Sequence, residues 1–148
     1  SSSSSTAAAQ EMEPIESFGS VASAPAEEAA RWFDTGLKAV KDGKVAVVVL
    51  CGGQGTRLGF DGPKGMYDIG LPSKKTLFQL QAERLRRVCA LAAAAAAGGE
   101  GVAGADAAAP RIPWYIMTSP LNDAATREFF ASEEHFGIPE EDLFFFSQ

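Results

Sequence analysis

Apolar positions along this chain follow two rhythms. Residues 45–50 (VAVVVL) form an unbroken aliphatic run, mostly β-branched, with Lys44 before it and Cys51 and Gly52 after it. That is the pattern of a strand covered on both faces in a parallel sheet. From residue 76 to about 92 the period lengthens: Phe78, Ala82, Leu85 and Cys89 recur at helical spacing, and Glu83, Arg84, Arg86 and Arg87 fall mostly on other faces. Thr76 and Gln79 stand at capping-box spacing at its start. In the Ala/Gly tract that follows, alanine can prolong the helix, but Gly98 and Gly99 end that tendency. A surface insertion is expected at about 92–110. Residues 112–118 read as a second strand, residues 122–135 as a second helix closed by Gly137 and Pro139, and the run DLFFF as a third strand. Trp114, Phe144, Phe145 and Phe146 are expected in the core.

Strand, helix, strand, helix, strand predicts an α/β fold, a three-layer sandwich around a mostly parallel sheet. Ligands of such sheets sit at the carboxyl ends of the strands. The first of those ends is where Cys51 hands over to Gly52.

Composition trims this picture. The chain has 148 residues, the size of one domain. Residues 1–9 are nearly all Ser and Ala, however, and neither they nor the Ala/Gly tract carry bulky side chains to offset the entropy of ordering. Residues 1–43 are therefore expected to be an N-terminal extension, partly disordered, and residues 44–148 the packed part, nearer a half-domain. Serine at position 1 and a strand stopping almost at residue 148 suggest that both ends are cut. There is no charged-then-apolar leader and no apolar run near the roughly 18 residues of a membrane span, so a soluble cytoplasmic protein without a membrane partner is expected. Cys51 and Cys89 lie in no CxxC pair and read as free thiols in a reducing compartment. His135, the single histidine, excludes mechanisms that need two. A net charge of −6 argues against a nucleic-acid polymer as partner. Between residues 54 and 75 the sign reverses: Arg57, Lys64, Lys74 and Lys75 face only Asp61 and Asp68. A small anion suits that patch.

The glycine-rich turn inside it is the strongest chemical signal. Gly52, Gly53 and Gly55 can adopt backbone angles closed to other residues and let a ligand approach the main chain. Successive exposed N–H groups in such a turn form an anion nest, and Thr56, Arg57 and Lys64 follow it. The turn is not a P-loop, because no glycine precedes Lys and then Ser or Thr. A dinucleotide fingerprint starting at Gly53 has Leu58 at its sixth position, and the long helix begins only near residue 76. A dinucleotide-binding oxidoreductase domain is thus the weaker alternative. Asp61 and Asp68 read as turn-forming acids, Lys74 and Lys75 as solvated charges, and Asn122, Asp123, Glu128 and His135 as caps or solvated face.

The stretches LCGGQGTRLG, PKGMYDIGLPSKKTLFQLQAER and IPWYIMTS resemble the eukaryotic UDP-N-acetylhexosamine pyrophosphorylases, over about residues 12–148 apart from the Ala/Gly tract. The GLPS-x-K stretch is characteristic of the acetylhexosamine branch. The resemblance implies an incomplete nucleotide-diphospho-sugar transferase fold, Rossmann-like. It also implies an enzyme that condenses UTP with N-acetylglucosamine 1-phosphate to UDP-N-acetylglucosamine and pyrophosphate. By the match, Leu50, Cys51, Gly52 and Gly53 would border the uridine and the UTP phosphates, with Gly55 and Thr56 in the same loop. Arg57 would hold the departing phosphates, Lys64 the α-phosphate, and Gln148 the uracil. The family usually has Ala or another small residue at position 51, and Cys51 adds an oxidisable thiol. Mg²⁺ is the implied cofactor, its ligand expected downstream of these residues. A module that holds a uridine nucleotide without turnover is a further alternative.

Overall fold

The computed structural model of the chain describes residues 14–97 and 109–148. Three strands, β1 (Val47–Leu50), β2 (Trp114–Thr118) and β3 (Leu143–Ser147), form one parallel sheet in the order β1-β2-β3. Val47 pairs with Trp114, which in turn pairs with Leu143. Between the strands run the helices α2 (Leu77–Ala97) and α3 (Asp123–Ser132), and α1 (Ala26–Lys41) precedes them all. The α/β class and the parallel βαβαβ order agree with the sequence reading.

Two right-handed crossovers that step in the same direction lay their helices on the same side of the sheet. The core has that shape: Phe78 and Ala82 of α2 and Phe130 of α3 meet Trp114 and Ile116 of β2, with Val47, Val49, Leu143 and Phe145 packed against them. Phe78, Trp114 and Phe130 are fully buried and meet edge-on or tilted, their ring centroids 4.9–6.3 Å apart. Successive side chains of a strand point to opposite faces. Val48, Leu50, Tyr115, Phe144 and Phe146 consequently stand on the other face and are exposed. The expectations that β1 is covered on both faces and that Phe144 and Phe146 are core fail for this physical reason: the monotonic strand order puts both helices on one side. The described residues supply one helical layer of the sandwich.

The start of α2 follows the capping-box reading, since the Gln79 N–H donates to Thr76 Oγ1 at 3.3 Å. The helix runs on through the first alanines of the tract to Ala97, and the rest of the expected insertion lies outside the described residues. Helix α1 was not anticipated in what reads as an extension. Pro25 precedes it, Glu27 and Glu28 lie in its first turn and Lys38 and Lys41 in its last, a charge order that suits the helix dipole. It docks through Val40 on Ala92 and Ile112, with Leu37, Val45 and Val88 alongside. Helix α3 ends at Ser132, short of His135. Glu134, His135, Phe136 and Gly137 instead form a left-handed turn (φ 48°, 54°, 55° and 72°). Three non-glycine residues in that region cost about 1–2 kcal/mol each. Burial of Phe136 in the core and a 3.3 Å hydrogen bond from Arg86 Nη1 to its carbonyl hold the turn.

Lys64–Met66 forms a short 3₁₀ turn that seats the loop after β1 on α2. At its centre a Cβ on Gly65 would lie 2.1 Å from Cε2 and Cζ of Phe78. Phe78 cannot yield, because it is fully buried among rings. Gly65→Ala is therefore expected to destabilise the fold by roughly 1–3 kcal/mol, the range for overpacking a core. Urea denaturation measures it, and the loss should shrink when Phe78→Leu is combined with it.

Candidate functional site

The carboxyl edge of the sheet is built by a few hydrogen bonds. The Cys51 N–H donates to Met117 O at 2.8 Å, extending the ladder one residue past β1 before the chain leaves at Gly52. Asn122, 1% exposed, then joins β1 to β2: its Nδ2 donates to Cys51 O and its Oδ1 accepts from the Ser119 N–H, both at 2.8 Å. The N–H groups of Asn122 and Asp123 return to Ser119 O at 3.0 and 2.9 Å. Thr118 Oγ1 lies 2.5 Å from Asp123 Oδ1 and 3.2 Å from Phe146 O. Its one proton goes to the carboxylate, the charged acceptor. Arg127, 2.7 Å away, and the Thr118 hydroxyl hold the Asp123 carboxyl below the usual range. Finally the Gln148 N–H donates to Thr118 O at 3.0 Å, so the three strand ends stand in a row.

The glycine loop folds back on itself above that row. Gly55 N–H donates to Gly62 O at 2.9 Å and Lys64 N–H to Gly53 O at 3.3 Å, around an antiparallel bridge between Gln54 and Pro63. This places Lys64 beside Gly53. Each glycine has its own reason. A Cβ on Gly55 would lie 2.8 Å from the Phe60 ring, whereas one on Gly53 would meet nothing within 4 Å. One on Gly52 would lie 3.3 Å from Gln148 Oε1, 3.5 Å from Thr118 O and 3.6 Å from Ser119 Cβ. The N–H groups of Gly52, Gly53 and Gln54 donate to no partner among the described residues. Arg57, in the 3₁₀ turn Thr56–Leu58, and Lys64 are exposed and have no carboxylate within ion-pair distance among those residues. Free donors and unpaired cations at the carboxyl edge of a parallel sheet form an anion cradle.

Most of the anticipated residues converge here. Gly52 meets Gln148, Gly53 meets Lys64, and Thr56 and Arg57 stand exposed in the 3₁₀ turn that follows. Leu50 and Cys51 divide: Leu50 is 73% exposed on the bare face and Cys51 is buried against the helices. Burial pushes the Cys51 thiol up to about 11, which favours its protonated form. Asp68 accepts from the Gly70 N–H at 2.8 Å, as a turn-forming acid does. Lys75 is paired with Glu83 at 2.6 Å, not merely solvated. Asn122, expected to be a cap or solvated, is a buried tie between strand ends, because its amide turns away from α3. An asparagine ahead of a helix reads first as an N-cap, and nothing in the one-dimensional pattern marks the other role. No three His, Cys, Asp or Glu side chains among the described residues are placed to hold a metal ion. No helix among them is long and apolar enough to cross a membrane.

A family model described as UTP--glucose-1-phosphate uridylyltransferase matches residues 5–148. The UDP-N-acetylglucosamine diphosphorylase 1 of Arabidopsis thaliana is 48% identical over 122 residues, which cover 82% of this chain and 23% of that protein. The UDP-N-acetylglucosamine pyrophosphorylase of Saccharomyces cerevisiae is 45% identical over 117 residues, 79% of this chain and 22% of that one. Among solved structures, the uridine diphosphate N-acetylglucosamine pyrophosphorylase from Trypanosoma brucei in complex with inhibitor matches with a TM-score of 0.75 and 36% identity, over 83% of this chain and 22% of its own. The chain spans less than a quarter of the length of each of these three relatives.

Removing the Asn122 amide leaves the Cys51 carbonyl and the Ser119 N–H without their partner. Asn122→Ala is expected to cost about 1–3 kcal/mol, the penalty for stranding buried polar groups. Asn122→Asp should cost at least as much, since it keeps an acceptor for Ser119 but offers Cys51 O no donor. Equilibrium denaturation of the two variants checks both statements.

Proposed function

This chain belongs to the UTP--glucose-1-phosphate uridylyltransferase family, and from that premise we propose that it carries the nucleotide half of a uridylyltransferase site. The reaction we assign passes the uridylyl group of UTP to N-acetylglucosamine 1-phosphate and releases pyrophosphate. An N-acetylhexosamine phosphate is favoured over glucose 1-phosphate because the relatives at 45–48% identity are named for UDP-N-acetylglucosamine. One observation carries the reading: two adjacent glycines, whose N–H groups have no acceptor among the described residues, lie between the Gln148 amide on one side and the Lys64 backbone on the other.

Each group then has a task. The Gln148 amide pairs with the uracil edge, accepting from N3–H and donating to O4. Leu50 and Cys51 border the uridine, Cys51 through its backbone alone. The N–H groups of Gly52, Gly53 and Gln54 receive phosphate oxygens, and Gly55 keeps the loop folded on Phe60 with Thr56 at its turn. The guanidinium of Arg57 forks onto two oxygens of the leaving pyrophosphate, whereas Lys64 brings a compact charge to the α-phosphate. As the sugar phosphate oxygen attacks in line, negative charge spreads over the equatorial and leaving oxygens. Catalysis is positioning plus electrostatic stabilisation, with no side-chain nucleophile. Mg²⁺ would supply further neutralisation of the phosphates. We place its ligand outside the described residues. Two free cysteines fit a reducing compartment, and we place the protein in the cytoplasm.

Three measurements test this. Lys64→Ala, in the protein that carries these residues, should lower kcat on the order of 10²-fold, the scale for losing one preorganised donor, with a smaller effect on UTP affinity. A near-unchanged kcat in steady-state assays of pyrophosphate release removes Lys64 from the site. Gln148→Ala should relax the preference for UTP over CTP, read as the ratio of kcat/KM. The 148-residue chain alone, given UTP, N-acetylglucosamine 1-phosphate and Mg²⁺, should release no pyrophosphate. Turnover comparable to that of a relative would put the sugar site within these residues.

A further inference from the structure

A glutamine that reads uracil poses a problem that the Gln148 contact alone does not solve. Cytosine presents the reverse pattern, an acceptor at N3 and a donor at N4, and an amide turned through 180° satisfies it equally well. Selectivity for uracil requires that something hold the amide in one of its two states. An unused polar group on the same side of Gly52 is the Ser119 hydroxyl. Its oxygen is buried and has no hydrogen-bond partner among the described residues. Ser119 Cβ lies 3.6 Å, and Gln148 Oε1 3.3 Å, from the one point where a Gly52 side chain would begin. The serine backbone is fixed on both sides, its N–H on Asn122 Oδ1 and its carbonyl under the N–H groups of Asn122 and Asp123. Gln148 is fixed through its own N–H on Thr118 O.

We propose that Ser119 is a positioning residue for base selection: with nucleotide bound, its hydroxyl donates to Gln148 Oε1 and locks the amide in the uracil-reading state. This deepens the uridylyltransferase reading and rests on its assignment of Gln148 to the base. The oxygen has a second lone pair free for uracil N3–H, and the NH₂ group faces O4. Turning the amide to read cytosine would bring Nε2 to the serine. The hydroxyl oxygen could accept from it, but the hydroxyl proton would then lose its acceptor in a buried place, a penalty of the kind that underlies strong discrimination by hydrogen-bonding sites. Gly52 is part of the arrangement, because a Cβ there would lie 3.3 Å from Gln148 Oε1 and the amide would have to shift.

The test compares kcat/KM for UTP and CTP in the protein that carries these residues, with Ser119→Ala, Ser119→Thr and Gln148→Ala measured side by side. Ser119→Ala is expected to lower the UTP to CTP ratio about fivefold, the scale of one hydrogen bond, and Ser119→Thr, which keeps the hydroxyl, to hold the ratio near its starting value. A merely structural serine would lower both rates together and leave the ratio alone. If Gln148→Ala relaxes the ratio while Ser119→Ala does not, the inference is overturned and the base contact stands. If neither variant moves it, the base assignment of Gln148 falls and the inference with it. Calorimetric Kd values for UTP and CTP on the same variants give the same comparison should turnover be too slow to measure.

Discussion

The carboxyl edge of this sheet hangs on the two hydrogen bonds of one buried amide. Parallel ladders hold strands together along their length, but at the last rung nothing in the ladder fixes where the departing chains go. Asn122 does so here: a donor to Cys51 O and an acceptor from the Ser119 N–H, on one planar group, tie the end of β1 to the end of β2. Only an amide offers both functions in that fork without a charge. Burial excludes the water that would otherwise compete. With those ends fixed, Gly52 faces Ser119 and Gln148, and the loop beyond it begins from a defined point.

From that point the glycines divide the work, and the division explains why one loop needs so many. Gly55 is bare because Phe60 packs on it, and Gly65 because Phe78 does. These two are demanded by packing, as any core position is. Gly53 has open space around its Cα, and Gly52 is approached by the amide of Gln148. A side chain at Gly53 would meet nothing within 4 Å among the described residues, so packing does not demand the glycine and its main chain is open to approach.

Much of this could be read from the chain before any coordinates. The run at 45–50, the helix announced by Thr76 and Gln79, and the strand around Trp114 came from periodicity and capping, which are local. The glycine spacing of the loop and the cluster of bases around it are legible in the same way, because both are local in sequence. What escaped was what depends on the order of strands. Whether Phe144 and Phe146 are core or surface follows from which side the crossovers take, and a hydrophobic triplet has no means of recording it. Asn122 escaped because an amide ahead of a helix has two uses and the choice lies 71 residues away at Cys51. Helix α1 was lost for another reason. Its apolar residues, among them Trp32, Phe33, Leu37 and Val40, and its charge order, acidic first and basic last, stand beside a low-complexity start that reads as an extension.

The electrostatics of the loop follow from where its charges are not neutralised. Of the four bases between residues 54 and 75, Lys75 is spent on Glu83 at 2.6 Å and anchors the start of α2. Asp68 turns its carboxylate into its own backbone at Gly70 and does not reach a cation. Arg57 and Lys64 have no carboxylate partner among the described residues, nor do the N–H groups of Gly52, Gly53 and Gln54 have an acceptor among them. In water, such exposed cations act only over about a Debye length of roughly 8 Å, and their attraction for a distant anion is weak. It becomes strong only for an anion seated in the cradle, where the main chain already supplies donors and the solvent between charges is displaced. A net charge of −6, which works against polyanions as a whole, is therefore compatible with a locally cationic loop.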